Sequence, residues 1–197
     1  MKITADDKFN AGIIMYRFML PKTDEDIFYE LLFTICSPQT TFRNNSKVND
    51  WLRTIDYYNK GLPIKNLRDV LKPVRFYNNK AKWVAEAKQK FPEILNSVKY
   101  WSKDAHLRKM LVKDVKGLGM KTASHFLRNL GAEDLAIIDT HILKYLGITS
   151  GEVAYKKYEE LEETFRQIAK KKKLTVAELD CIVWKHYSKT EWKDFVH

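Results

Sequence analysis

The chain has 197 residues, 45% of them hydrophobic, and carries 35 Lys and Arg against 25 Asp and Glu for a formal charge of +10. That is enough apolar material for a buried core in one large domain or two small lobes, and the two cysteines, Cys36 and Cys181, are too few for a disulfide framework or a four-cysteine zinc or iron–sulfur site. The apolar stretch 13–20 is too short for a secretory signal and is broken by Arg17. No run approaches the ~20 apolar residues of a membrane helix, so a cytoplasmic protein with reduced, buried thiols and no membrane contact is expected.

Apolar spacing reads as helical from Thr23 onward, only seven glycines occur, and no Asn-Gly or Asp-Gly turn separates alternating strands, so the expected fold class is all-α. The first twenty residues fit either a strand or a packed helix. Pro21 and Thr23, followed by Asp24, Glu25 and Asp26, start a helix whose stripe of Ile27, Phe28, Leu31, Leu32 and Ile35 ends at Ser37-Pro38. Further helices are predicted over 50–58, 65–71, 79–90, 93–101 and 104–115, with Pro63, Pro73 and Pro92 as breaks. Helices over 121–130 and 140–146 stop at Gly131 and Gly147. A longer one over 152–170 carries Ala154, Tyr158, Leu161, Phe165 and Ile168 on one face, and Lys170 to Lys173 read as its solvated, dipole-compatible end. The last helix opens with a capping box, Thr175 with Glu178, and turns Leu179, Ile182, Val183 and His186 inward. Trp184 lies about 140° from Leu179 at roughly 100° per residue, off that inner face.

The positive charge favours a polyanion such as nucleic acid, although lysine-rich surfaces also serve stability and solubility. The segment Val115-Lys116-Gly117-Leu118-Gly119-Met120-Lys121 joins two helical patterns. Its glycines allow a tight hairpin that feeds a helix start, where unpaired N–H groups and the positive dipole end suit a phosphate. Leu118 is expected to point back between the helices, with Ala123, Phe126, Leu127 and Leu130 forming the buried face of the second. An ordinary helix-turn-helix connection would use the same glycines. Lys121 falls in the first turn, where the dipole and partial burial disfavour the ammonium form, and a neutral amine is what a nucleophile requires. Asp139 follows the apolar run Ala136-Ile137-Ile138 and precedes a short helix. Plainer uses exist for both: a phosphate contact for Lys121 and an N-cap for Asp139. A cap is compatible with chemistry, since it leaves the second carboxylate oxygen available.

The stretch VKGLGMKTASHFLRNLGAEDLAIIDTHIL, 115–143, resembles the helix-hairpin-helix DNA glycosylase/AP lyase superfamily, and within it the archaeal-type, or type-2, 8-oxoguanine DNA glycosylases. Looser similarity runs from about 27 to 184. The resemblance implies a two-lobed helical fold with the active-site cleft between lobes. One lobe is expected over 26–131, including the hairpin, and the other over 1–25 and 132–197. It implies Lys121 as the Schiff-base nucleophile and Asp139 as the catalytic carboxylate of a bifunctional glycosylase/lyase that removes 8-oxoguanine in base-excision repair and cleaves by β-elimination. Phe76 and Trp184 match base-stacking aromatics, Gln39 a polar residue that enters the helix near the vacated base, and Lys116, Gly117 and Gly119 the backbone-contacting hairpin. Phe76 also reads as a core residue and Gln39 as a loop amide.

The implied partner is double-stranded DNA with a damaged base, met by a monomer that associates with the nucleoid. No cofactor is required. Hairpin carbonyls at Val115 and Leu118 are candidates for a monovalent cation, and no other metal site is expected. The sequence departs from the type-2 pattern at its end: thirteen residues follow Trp184 and the last is His197, not Lys. That leaves two alternatives open, the same fold acting on another damaged or mismatched base, and a non-enzymatic helix-hairpin-helix DNA-binding module.

Overall fold

Short polar caps decide where the helices begin. Threonine capping boxes open α1 (Ala5–Met19), α2 (Asp24–Cys36) and the last described helix: Thr4 with Asp7, Thr23 with Asp26 and Thr175 with Glu178. This computed structural model describes residues 1–148, 158–189 and 191–192, and all regular structure among them is helical. After α2 come α3 (Phe42–Thr54), α4 (Tyr57–Lys60), α5 (Ile64–Leu71), α6 (Tyr77–Tyr100), α7 (Ala105–Asp114), α8 (Met120–Asn129), α9 (Thr140–Tyr145), α10 (Tyr158–Lys172) and α11 (Val176–Ser188). The predicted start of α10 at Glu152, and Ala154 with it, lie outside the described residues. No helix is long and apolar enough to cross a membrane among the described residues.

The chain forms two compact units, one of residues 21–126 and one joining 1–20 to 127–197. The divisions fall at 20/21 and 126/127, not at 25/26 and 131/132. Pro21 and the Thr23 cap make the break ahead of α2, and a cut at 25/26 would split that helix. In the central unit α2 and α5 pack on α6, burying Phe28, Leu31, Leu32, Ile35, Leu67 and Val84. In the other unit α1, left open by the sequence, lays Ala11, Ile14 and Met15 against Ala177, Cys181 and Ile182 of α11. Both cysteines are buried, and burial pushes their thiols up to about 12, so they are inert packing groups.

Two helical expectations are corrected. The helix expected over 50–58 begins eight residues earlier, because Thr41 caps it and Asn45, Val48 and Leu52 supply a buried stripe through a polar stretch; Asp56, at φ 56°, then separates it from α4. The two helices expected around Pro92 are one. Proline removes a single intrahelical bond at about 3 kcal/mol, and burial of Phe91, Ile94 and Val98 along one continuous face offsets that cost. Phe91 meets Phe28 edge-on, with ring centroids 5.0 Å apart.

An irregular segment, 135–138, runs through the second unit with no strand beside it among the described residues. Its consecutive amides are met by side chains: Ala136 N donates to Glu162 Oε1 at 2.9 Å, Ile137 N to Asp180 Oδ2 at 2.7 Å and Ile138 N to the Tyr158 hydroxyl at 3.2 Å. The Tyr158 hydroxyl in turn donates to Ala136 O at 2.6 Å. Asp180, 2% exposed, pairs with Arg128, whose Nη1 lies 3.2 Å from Asp180 Oδ1. Replacing Asp180 by Ala removes the amide acceptor and strands a buried guanidinium, so unfolding free energy should fall by about 3–5 kcal/mol. Urea unfolding followed by circular dichroism measures this, and a loss below about 1 kcal/mol would show the pair to be solvated instead.

Candidate active site

The hairpin between α7 and α8 is held by burial and hydrogen bonds. Val115 and Leu118 are buried, Leu118 N donates to Val115 O at 3.2 Å, and beneath them the fully buried Arg108 donates from Nη1 to Ser124 Oγ at 3.0 Å. Gly117 has φ +91°, and a Cβ there would sit 2.8 Å from Trp83 Cε3 and 3.3 Å from Ile35 Cγ2. Gly119 differs: a Cβ added there meets nothing within 4 Å. The Gly119 amide donates to Thr122 Oγ1 at 2.7 Å, and Ala123 N begins the helical ladder on Gly119 O at 2.9 Å. The amides of Met120, Lys121 and Thr122 therefore stand at the open helix end, ahead of the first intrahelical bond. Ala123, Phe126, Leu127 and Leu130 are buried as their spacing predicts.

Lys121 is the second residue of α8, half-buried, with its ammonium in no ion pair or hydrogen bond among the described residues. Lys116, expected as a backbone contact, is exposed but paired with Glu86, Nζ to Oε2 at 3.0 Å. Glu86 also takes Lys90 at 3.1 Å, and these two lysines, Lys116 first, hold its carboxyl below the usual carboxylate range. Such exposed pairs are weak and exchange readily for a phosphate.

Gln39 and Phe76 are brought together. Both line an open depression of about 420 Å³ with Thr40, Asn44 and Arg75, and both hold left-handed backbone, at φ 54° and 59°. Phe76 is not a core residue: 52% of it is exposed, with the Arg75 guanidinium 5.0 Å from its ring centroid. Non-glycine residues at positive φ carry strain that concentrates at functional sites.

In the other unit Asp139 caps α9. His141 N and Ile142 N donate to the same oxygen, Oδ1, at 2.8 and 3.0 Å, and Oδ2 accepts no hydrogen bond among the described residues. The half-buried Trp184 ring meets His141 edge-on at 6.4 Å, so α11 places it beside the helix start that Asp139 caps. Leu179, Ile182 and Val183 are buried as expected, but His186, one turn further, is exposed. The tail residue His197 lies outside the described residues. No cluster of three or more His, Cys, Asp or Glu fit to hold a metal occurs among the described residues.

A profile of the 8-oxoguanine DNA glycosylase family matches residues 12–174. The chain belongs to that family. An 8-oxoguanine DNA glycosylase/AP lyase of Methanocaldococcus jannaschii is 34% identical over 190 residues, covering 90% of this chain and 88% of that one. One of Metallosphaera sedula is 33% identical and covers 96% of each. The crystal structure of the M. jannaschii enzyme in complex with a 15mer DNA containing 8-oxoguanine superposes with a TM-score of 0.79 at 30% identity, over 91% of each chain.

In this member of the 8-oxoguanine DNA glycosylase family, several supporting residues escape sequence reasoning. Thr122 and Arg108 brace the hairpin, and Tyr158, Glu162 and Asp180 hold the backbone that leads into Asp139. Two of them left a trace in the sequence: Tyr158 as a member of an apolar helical face, and Asp180 as a charge set between the core residues Leu179 and Cys181. The hairpin glycines should separate on substitution. Gly117→Ala meets both strain and a clash and should cost about 1–3 kcal/mol, whereas Gly119→Ala, with open space, should cost under about 1 kcal/mol; chemical denaturation of the two variants gives the comparison.

Proposed function

We infer that the protein is a bifunctional DNA glycosylase/AP lyase of base-excision repair that removes 8-oxoguanine from double-stranded DNA, working as a cytoplasmic, nucleoid-associated monomer. The observation that carries the reading is the state of the two reactive side chains. Lys121 has an ammonium engaged by nothing among the described residues, and Asp139 is pinned through one oxygen with the other left open.

After its ammonium gives up a proton to solvent, Lys121 Nζ attacks C1′ of the damaged nucleoside while the Asp139 carboxylate stabilises the developing oxocarbenium charge and assists proton transfer. The glycosidic electron pair leaves with the base, which takes up a proton. Opening of the sugar gives a protonated imine on Lys121. Loss of a C2′ proton then expels the 3′ phosphate by β-elimination, and water releases the lysine. Phe76 and Trp184 supply aromatic faces for the flipped base, and Gln39 stands at the gap it leaves. The open amides of Met120, Lys121 and Thr122 receive a backbone phosphate, with Gly119 allowing its close approach and Lys116 exchanging Glu86 for it.

This chemistry requires no cofactor. A monovalent cation fits the hairpin carbonyls: Val115 O accepts one hydrogen bond, from Leu118 N, and Leu118 O accepts none among the described residues. Exchanging potassium for tetramethylammonium at constant ionic strength should then weaken DNA binding several-fold, and unchanged affinity would remove the cation.

The decisive experiment is borohydride trapping with duplexes carrying 8-oxoguanine, thymine glycol, uracil or an abasic site. Wild type should give a covalent adduct with 8-oxoguanine and abasic DNA, and Lys121→Gln none. Trapping only at another lesion keeps the mechanism and changes the substrate; tight binding with no adduct and no base release leaves a binding module. Asp139→Asn preserves a good cap and should keep the unfolding midpoint while lowering single-turnover base release by about 100-fold or more.

A further inference from the structure

Lys80 occupies a core position. On α6 it heads a stripe, Lys80, Val84, Ala87, Phe91, Ile94 and Val98, whose other members are apolar, and it is 1% exposed. Its ammonium donates to Cys36 O at 2.7 Å, Pro38 O at 2.8 Å and Thr40 Oγ1 at 3.0 Å. Three donors meet three acceptors, and no carboxylate pairs with it among the described residues. Burying a charge without a counter-ion is costly. An unbranched apolar side chain such as Met would fill the same space at no such cost, so packing does not account for this lysine.

Its acceptors do. They span the last residue of α2 and the turn that follows it, on either side of Gln39, which sits at φ 54°. The same Thr40 Oγ1 also accepts from Arg75 N at 3.2 Å, one residue before Phe76 at φ 59°. One ammonium thus ties together the two strained loops whose exposed residues line the 420 Å³ depression. A left-handed non-glycine residue costs about 1 kcal/mol or more, so both conformations need surroundings that enforce them. Lysine suits the task better than arginine, because a compact head with three diverging donors reaches three converging oxygens where a planar fork would overfill the core.

We propose that Lys80, acting through Thr40, is a positioning residue that holds Gln39 and Phe76 in the geometry that extrudes and grips the damaged base. The role rests on the base-excision function proposed above. It concerns handling of the base and not the lysine chemistry, so it separates two substrates: 8-oxoguanine must be taken out of the stack, whereas an abasic site offers no base to extrude.

The test compares wild type, Lys80→Met, Thr40→Val and Thr40→Ser in single-turnover excision from an 8-oxoguanine duplex and in borohydride trapping on an abasic duplex, with unfolding midpoints alongside. Thr40→Val removes the shared hydroxyl and leaves the buried lysine its two carbonyls, so it remains informative where Lys80→Met fails to fold. The expected result is a loss of excision of up to about 100-fold in Thr40→Val and Lys80→Met, abasic trapping within about twofold of wild type, and recovery in Thr40→Ser. Equal losses on both substrates, or no loss on either, would overturn the positioning role. A wild type that traps on abasic DNA but releases no 8-oxoguanine would instead overturn the proposed substrate, and the role with it.

Discussion

Backbone that is neither helix nor sheet still has to satisfy its N–H and C=O groups once it is buried, and the reactive residues of this protein sit on or beside such backbone. Segment 135–138 leads into Asp139 without a neighbouring strand among the described residues, and three of its amides are met by Glu162, Asp180 and Tyr158. The turn at 36–40 carries Gln39, and its carbonyls converge on the Lys80 ammonium. A helical scaffold satisfies itself internally, so the polar groups it buries are available for these irregular pieces. Without them the segments would have to unfold into water or forfeit several hydrogen bonds.

The same constraint explains where the buried charges are. Arg128 and Asp180 pair in the second unit, Arg108 reaches Ser124 beneath the hairpin, and Lys80 stands alone among carbonyls and a hydroxyl. Each adjoins a loop or irregular segment, while the helix-packing surfaces of α2, α5 and α6 are otherwise mostly apolar. Burying these ions adds little to net stability, since apolar replacements of similar volume are often as good. What they provide is a defined path for a chain segment that hydrophobic burial alone would leave free to slide.

Strain follows the same pattern. Gln39 and Phe76 are held at positive φ yet remain exposed, so neither conformation is forced by core packing of its own side chain. Asp139 is constrained in a quieter way: its cap uses Oδ1 twice, which orients the carboxylate and spares Oδ2. On Lys121 the fold imposes no ion pair among the described residues. The residues assigned to chemistry are thus fixed at the backbone and unencumbered at the reactive atom.

By itself the sequence determined the helices that begin with polar caps, the apolar stripes that follow them, and the local pairing of a Gly-x-Gly hairpin with Lys121 and of an apolar run with Asp139. All of these are short-range patterns, set within a few residues by hydrogen bonding and helical periodicity. It misled at Pro92, where long-range burial outweighs a lost bond, and at 42–49, where a polar surface hid a helix whose buried residues are Asn45, Val48 and Leu52. The tertiary structure alone decided that Phe76 faces solvent beside Gln39, that Lys116 pairs with Glu86, and that Lys80, Tyr158, Glu162 and Asp180 hold the functional segments. Those contacts join residues 20 to 44 positions apart, and no local pattern encodes which buried acceptor a distant donor will meet.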